Sequence, residues 1–185
     1  ISSGGIVNGW AACSSVRDSS ARAGAGTGAE ATKNAVISSF DPPFKKSLRS
    51  DLMVPKVVLV DPELTVSLPR DITAHTGMDA ITQLIESLIT RRKKPIPRDL
   101  CWQGLKLALP AMFELSRDLS LRTAREAMSQ AALLSGMALA NSGLGFAHGV
   151  AAALGVHAKV PHGLACAVML PSALQLNREV ATDLY

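Results

Sequence analysis

The stretch 77–86 constrains the fold most, because its residues repeat with the period of an α-helix. Its apolar residues mark one buried face: Met78, Ile81, Leu84 and Ile85. Asp79 and Gln83 are four residues apart, so their side chains project from one side of the helix about a turn apart. Two oxygen donors at this spacing can share a cation if other donors close the site. The stretch therefore predicts a core helix that carries part of a metal site.

Two histidines later in the chain are the predicted donors that close this site. His148 and His162 each stand directly before a glycine. A carboxylate, an amide and two imidazoles form a donor set that suits a divalent transition metal. The alternative is an ordinary buried helix with one capped aspartate and two unrelated histidines. The residue spacing leaves both interpretations open, because short motifs often match by chance.

The composition is that of a folded protein, and the cysteine pattern predicts a reducing, cytoplasmic location. Hydrophobic residues make up 48% of the 185 residues and charged residues 18%, enough to bury a core as one domain or as parts of two. The three cysteines are far apart and form no CxxC motif, which indicates neither a disulfide framework nor a thiolate zinc site. No signal segment is recognised, and the longest apolar run, 131–140, is too short to span a membrane.

The net charge of +4 gives little reason to expect a nucleic-acid partner. Part of the charge comes from the basic cluster 91–94, which has no aromatic residues interleaved with it. We expect these cations to be solvated and to complete the last turn of a helix that Pro95 and Pro97 end.

Several short motifs occur in a characteristic order along the chain. They are Val-Leu-Val-Asp-Pro-Glu-Leu at 58–64, Leu-Pro at 68–69, Thr-Gly-Met-Asp-Ala at 76–80 with Glu86, Gly-Phe-Ala-His-Gly at 145–149, Leu-Gly at 154–155 and Val-Pro-His-Gly at 160–163. With these motifs, the chain closely resembles the iron-containing (group III) alcohol dehydrogenases over residues 57–163. Residues 25–55 resemble the family more loosely.

The resemblance implies an α/β nucleotide-binding domain, of which residues 1–60 are the last part. An all-helical metal-binding domain follows, and residues 61–185 are its first, incomplete part. The family's glycine-rich phosphate loop and Asp-x-x-Lys helix have no counterpart here, so we expect a piece from the middle of a longer protein or an incomplete gene. We predict strands at 36–40 and 56–61, the second of them buried. The predicted helices are 69–90 with a break at Gly77, 98–117 with a kink at Pro110, 121–141, 143–154 and 161–177.

The segment 23–30 is the predicted contact with a dinucleotide cofactor. Thr27-x-x-Glu30 is typical of a capping box that starts a helix, and backbone N–H groups there can meet a phosphate or a nicotinamide amide. The alternative is a flexible glycine linker with a chance cap. By resemblance, the cofactor-binding residues are Gly26, Thr27, Gly28 and Lys46. For Lys46, a solvated position beside Lys45 is the alternative.

The resemblance also implies the metal ligands. They are Asp79, Gln83, His148 and His162, holding Fe²⁺ or Zn²⁺. The family usually has histidine where this chain has Gln83, and an amide oxygen is a weaker donor for either metal than imidazole. The remaining histidines, His75 and His157, are substitute ligands, proton shuttles or residues outside the site.

The implied function is a metal-dependent, NAD- or NADP-linked alcohol dehydrogenase or aldehyde reductase. The metal polarises the oxygen of a small alcohol or aldehyde while hydride moves between substrate and nicotinamide. The resemblance also allows a homodimer. Ala152 replaces a histidine that many members place near the nicotinamide, and this leaves the route of the proton open. The alternative is a catalytically impaired or inactive relative with a structural or interaction role.

Overall fold

A small antiparallel sheet forms the N-terminal part of the structure, a computed structural model that describes residues 7–8, 28–92, 94–179 and 181. Strand β1 (Val7–Asn8) pairs with β2 (Asn34–Phe40), which pairs with β3 (Pro43–Arg49). Val36 lies opposite Ser47 in the hairpin between β2 and β3. The strand predicted at 36–40 is therefore confirmed and begins two residues earlier.

Five α-helices follow in the described part of the chain, with short connections. They are α1 (Arg70–Ile89), α2 (Pro95–Arg117), α3 (Arg122–Asn141), α4 (Phe146–His157) and α5 (His162–Asn177). Three single turns of 3-10 helix precede them, at Ala29–Ala31, Asp51–Met53 and Pro62–Thr65. A mainly helical chain after a small β part confirms the predicted fold class. The domain boundary after residue 60 stays a prediction.

Two predictions about helix α1 are wrong: the break at Gly77 and the completion of its last turn by the basic cluster 91–94. Helix α1 continues through Gly77, where a Cβ atom would collide with the Sδ atom of Met112, so glycine serves close packing between α1 and α2. The basic cluster does not complete α1, which ends at Ile89. Its described members lie exposed in the connection, and Pro95 begins α2 at the position where proline lacks only an unused N–H. Lys93 is outside the described residues.

Two predictions from the N-terminal third are also wrong. The segment 56–61 is not a strand, and its side chains are largely exposed, with Leu59 92% accessible. The described strands pair only with one another in one sheet, so this segment has no ladder partner among them. The helix predicted after Thr27 is only the 3-10 turn Ala29–Ala31. Its N-cap is Gly28, without a side-chain hydrogen bond; Thr27 itself lies outside the described residues.

Helix α1 is the centre of the helical part, because it packs against α2, α3, α4 and α5. Leu84 of α1 and Leu115 of α2 are fully buried, and Gly104 leaves room for the Leu84 side chain. Burying a leucine contributes roughly 1.5–3 kcal/mol, so this core holds α1 firmly in place. Polar side chains of α1 that point inward are consequently held in a rigid setting.

None of the described helices alone is long and apolar enough to cross a membrane. Helices α3 and α4 reach that length and composition only as a pair, and they are bent by 101° relative to each other.

Candidate metal centre

Four potential metal ligands from three helices converge at one point. Asp79 comes from the middle of α1, His148 from the first turn of α4, and His162 and Cys166 from the first two turns of α5. One ligand atom of each lies within 4.8 Å of the others. Of the four predicted metal ligands, the structure therefore brings Asp79, His148 and His162 together.

The distances within this cluster are close to those of ligands that share one ion. Asp79 Oδ1 lies 3.2 Å from His148 Nε2 and 3.9 Å from His162 Nε2. The two imidazole rings meet edge to face, with centroids 5.5 Å apart. The side chains of Asp79 and His148 are buried and that of His162 is 36% exposed, so the cluster opens to solvent on the α5 side.

Glu86 holds His148 in the orientation that metal binding needs. Its Oε2 atom lies 2.7 Å from His148 Nδ1. Because a carboxylate accepts this hydrogen bond, Nδ1 carries a proton, and Nε2, which faces Asp79 and the cluster, is the nitrogen left to bind a metal once it gives up its own proton. Glu86 belongs to one of the sequence motifs, but its role was not predicted from the sequence. The sequence did hold one indication of this role: Glu86 follows Asp79 by seven residues, about two turns, so both side chains lie on the same side of α1.

The same carboxylate also binds the N-terminus of α4. Its oxygens accept hydrogen bonds from the backbone N–H groups of Gly145 at 2.9 Å and Ala147 at 2.6 Å. These N–H groups belong to the first turn, where a helix has no internal acceptors. Burial raises the pKa of Glu86, but the hydrogen bonds from His148, Gly145 and Ala147 outweigh it and hold that pKa below its usual value.

The electrostatics of His148 follow from its three acidic neighbours. Burial lowers the pKa of His148, but hydrogen bonds to Asp79, Cys166 and Glu86 raise it to about 11. In the metal-free protein an imidazolium therefore balances the buried carboxylates. A metal cation bound at Nε2 can take over this balancing charge, since metal binding displaces the ligand proton.

Gln83 is buried on α1 one turn after Asp79, as its spacing predicted. Its Oε1 atom lies 3.2 Å from Ser135 Oγ on α3, whose single proton is donated to the closer carbonyl of Ala132 at 2.7 Å. The atom through which Gln83 was predicted to bind metal is therefore already in contact with a neighbouring helix.

Cys166 is the member of the cluster that sequence reasoning missed. It lies one turn after His162 on α5 and is fully buried, with its Sγ atom 3.7 Å from His162 Nε2. Rules based on CxxC spacing do not detect a single cysteine that joins histidines and a carboxylate from other helices. Its spacing of four residues from His162 was the one local signal.

Other predicted residues lie outside the cluster. His75 precedes Asp79 by one turn on the continuous helix α1, and His157 is the exposed last residue of α4, yet neither belongs to the converging group. Ala152 is half-buried on α4, one turn after His148.

The four residues predicted to bind the cofactor are described only in part. Gly26 and Thr27 lie outside the described residues. Gly28 has a positive φ of 54° and packs so closely against α3 that a Cβ atom would collide with the backbone of Gly136. Lys46 is exposed on β3, with its Nζ atom 5.7 Å from the ring centre of Phe44.

Comparison with known proteins places this cluster in a family. The family described as Fe-containing alcohol dehydrogenase, C-terminal, matches residues 73–185, which is more than half of the chain. A 1-propanol dehydrogenase of Salmonella typhimurium is 37% identical over 158 residues, covering 84% of this chain and 42% of that protein. An NADPH-dependent butanol dehydrogenase of Clostridium saccharobutylicum is 34% identical over 160 residues, covering 86% of this chain and 41% of that protein.

The fold of the chain is also similar to that of a solved structure. Sulfoacetaldehyde reductase from Bifidobacterium kashiwanohense, crystallised with NAD⁺, matches with a TM-score of 0.79 and 33% identity over 83% of this chain and 41% of its own length. The chain thus spans about two fifths of the length of these relatives. The matched residues include all four members of the cluster. The chain belongs to the iron-containing alcohol dehydrogenase family.

Proposed function

We propose that the protein is a metal-dependent, NAD(P)-linked dehydrogenase that interconverts small alcohols and aldehydes. The observation that carries the proposal is the convergence of Asp79, His148 and His162 from three separate helices. Relatives named as propanol and butanol dehydrogenases support the substrate class. Because the chain spans only part of these relatives, the activity is proposed for the whole protein.

The donor set fits a divalent metal ion of the iron or zinc type. One buried carboxylate and two imidazoles, with donor atoms 3.2–3.9 Å from the Asp79 oxygen, match what such ions bind. A bound ion supplies Lewis-acid chemistry that stabilises negative charge on a substrate oxygen.

The chain's own residues prepare this site. Asp79 supplies the negative charge, and Glu86 keeps Nε2 of His148 directed towards it. The partial exposure of His162 leaves the α5 side as the path for a small substrate. Packing of α1 against four other helices fixes the geometry before any ligand arrives.

A dinucleotide supplies or accepts the hydride in this proposal. The support is the family resemblance and the relative crystallised with NAD⁺. The described residues do not by themselves form a pyrophosphate site, because Gly28 packs against α3 and precedes only a single 3-10 turn. Contacts from Gly26, Thr27, Gly28 and Lys46, the choice between NAD and NADP, a homodimer and a cytoplasmic location all stay predictions.

Metal content tests the proposal. The chain is purified anaerobically with iron and zinc supplied, and bound metal per chain is measured with helicity from circular dichroism. We expect about one ion in the native chain and none in His148→Gln, while His157→Gln, which removes an exposed histidine of the same helix, keeps the ion. A helical native chain without metal overturns the proposal. If Gln83→His then restores binding, the impaired relative is the better description.

A further inference from the structure

We infer that Cys166 is the fourth ligand of the metal site, beside Asp79, His148 and His162, and that the site therefore prefers zinc to iron. This inference rests on the proposed function, because it concerns the same metal site. It assigns to a thiolate the place that Gln83 was expected to take.

The geometry supports four ligands rather than three. With zinc-to-ligand bonds of about 2.0–2.3 Å, neighbouring donors around a tetrahedral ion lie about 3.3–3.7 Å apart. The separation of Cys166 Sγ and His162 Nε2 is 3.7 Å, and that of Asp79 Oδ1 and His148 Nε2 is 3.2 Å. The remaining pairs lie within 4.8 Å.

The placement of Cys166 on α5 explains why it can join the site. It follows His162 by four residues, so both side chains leave the same side of the helix one turn apart. His162 is partly exposed, whereas Cys166 is fully buried and lies deeper in the protein. One helix therefore supplies two members of the cluster, a partly exposed imidazole and a buried thiol.

Gln83 is less suited to the fourth position than Cys166. Its Oε1 atom lies 3.2 Å from Ser135 Oγ, so the amide is packed against α3. The amide oxygen is also neutral, whereas a thiolate adds a second negative charge to that of Asp79. Soft sulfur with imidazole and carboxylate favours tetrahedral zinc over an ion that prefers oxygen and nitrogen donors.

Packing alone is the competing explanation for Cys166. It lies in a small apolar group with Ala151 and Ala165, and a free cysteine often behaves as a small hydrophobic residue. A residue of this kind contributes no spectroscopic signal to a bound metal, so the two explanations differ in a measurable way.

Substitution with Co²⁺ provides the test, because a thiolate bound to cobalt produces an intense charge-transfer absorption in the near ultraviolet. We expect the native chain to show this absorption together with the visible bands of four-coordinate cobalt. Cys166→Ser should lose the ultraviolet absorption but keep its helicity. Its zinc affinity should fall by more than the roughly 10- to 100-fold that loss of an outer hydrogen-bond partner causes.

The other cysteines and Gln83 provide matched controls. Cys13→Ser and Cys101→Ser should keep the ultraviolet absorption, and Cys101 is buried in the separate core between α1, α2 and α3. Gln83→Ala should keep it too and change zinc affinity less than Cys166→Ser does. Cobalt binding without the ultraviolet absorption, or an absorption that survives in Cys166→Ser, overturns the inference and leaves the proposed function intact. A folded native chain that binds no cobalt or zinc overturns both.

Discussion

The carboxylate of Glu86 lies 2.7 Å from Nδ1 of His148 and also accepts hydrogen bonds from the first turn of the helix that carries this histidine. One side chain of α1 therefore fixes the position of α4 and the orientation of its imidazole. Any change that weakens this carboxylate should affect both the fold and the metal site, and the two effects can be separated by measurement.

Glu86→Gln should lower metal affinity by about 10- to 100-fold, the usual effect of losing a hydrogen-bond partner behind a metal ligand. A neutral amide stabilises the proton on Nδ1 less than a carboxylate does, and its NH₂ group faces backbone N–H donors. Zinc affinity is measured by competition with a chelator, with helicity recorded alongside. Glu126→Gln, an exposed change on α3, should leave affinity unchanged. Equal affinities of the two variants would show that Glu86 does not position His148.

Cys101 should make the metal-free protein sensitive to alkali. Burial raises the pKa of this thiol from 9.0 to about 12. Below pH 9.0 both folded and unfolded chains carry the proton, so the contribution to stability is complete. It is lost as pH rises from 9.0 to about 12, because only the unfolded chain ionises there, with a slope of at most about 1.4 kcal/mol per pH unit.

Urea unfolding of the native chain and Cys101→Ala across this pH range tests the point. The difference in their free energies of unfolding should be constant well below pH 9.0 and should shrink above it, because only the native chain has this thiol. A difference that does not vary with pH contradicts the prediction.

Sequence periodicity predicted the helices well because each buries an apolar face. The predicted ranges 69–90, 121–141 and 161–177 match α1, α3 and α5 to within one residue at either end. The strand at 56–61 was predicted wrongly, because it too was inferred from an apolar run. An apolar run shows that a segment can be buried, but a strand also needs a neighbouring strand to pair with. Among the described residues, that neighbour is missing.

The candidate metal centre was predicted only in part, because its residues meet through tertiary packing. Asp79, His148 and His162 could be found from the motifs they share with a known family. Cys166 and the role of Glu86 depend on how α1, α4 and α5 approach each other, and Glu86 is 62 residues from His148 in the chain. Local patterns do not contain that information.

Arg125 should be among the residues most important for stability. It is 2% exposed, and its guanidinium donates hydrogen bonds to the carbonyl of Leu119 at 3.0 Å and the hydroxyl of Thr73 at 2.9 Å. Arg125→Met keeps much of the apolar bulk but leaves these buried acceptors without their donor. We expect a loss of about 2–4 kcal/mol in the free energy of unfolding, measured with urea.

Arg122→Met is the matched control on the same helix. Arg122 pairs with Glu63 at 2.8 Å, but both side chains are more than half exposed. Such surface pairs contribute about 0–1 kcal/mol. Similar losses in the two variants would contradict the role assigned to burial.

Gly163 should control the distance between α5 and α1. A Cβ atom at this position would collide with the backbone carbonyl of His75, which cannot rotate away as a side chain can. Gly163→Ala should therefore push the first turn of α5 outward. Because this turn carries His162, and Cys166 follows on the next, zinc affinity should fall by at least about tenfold, roughly 1.4 kcal/mol of binding free energy.

Gly149→Ala separates this effect from the general consequence of adding a methyl group to a helix. Gly149 is an exposed residue of α4, with no atom within 4 Å of an added Cβ. Alanine there should stabilise the helix by up to about 1 kcal/mol, because glycine is the poorer helix former. Its zinc affinity should equal that of the native chain. If Gly163→Ala also binds zinc with native affinity, the first turn of α5 tolerates the displacement, and close packing against His75 does not set the ligand geometry.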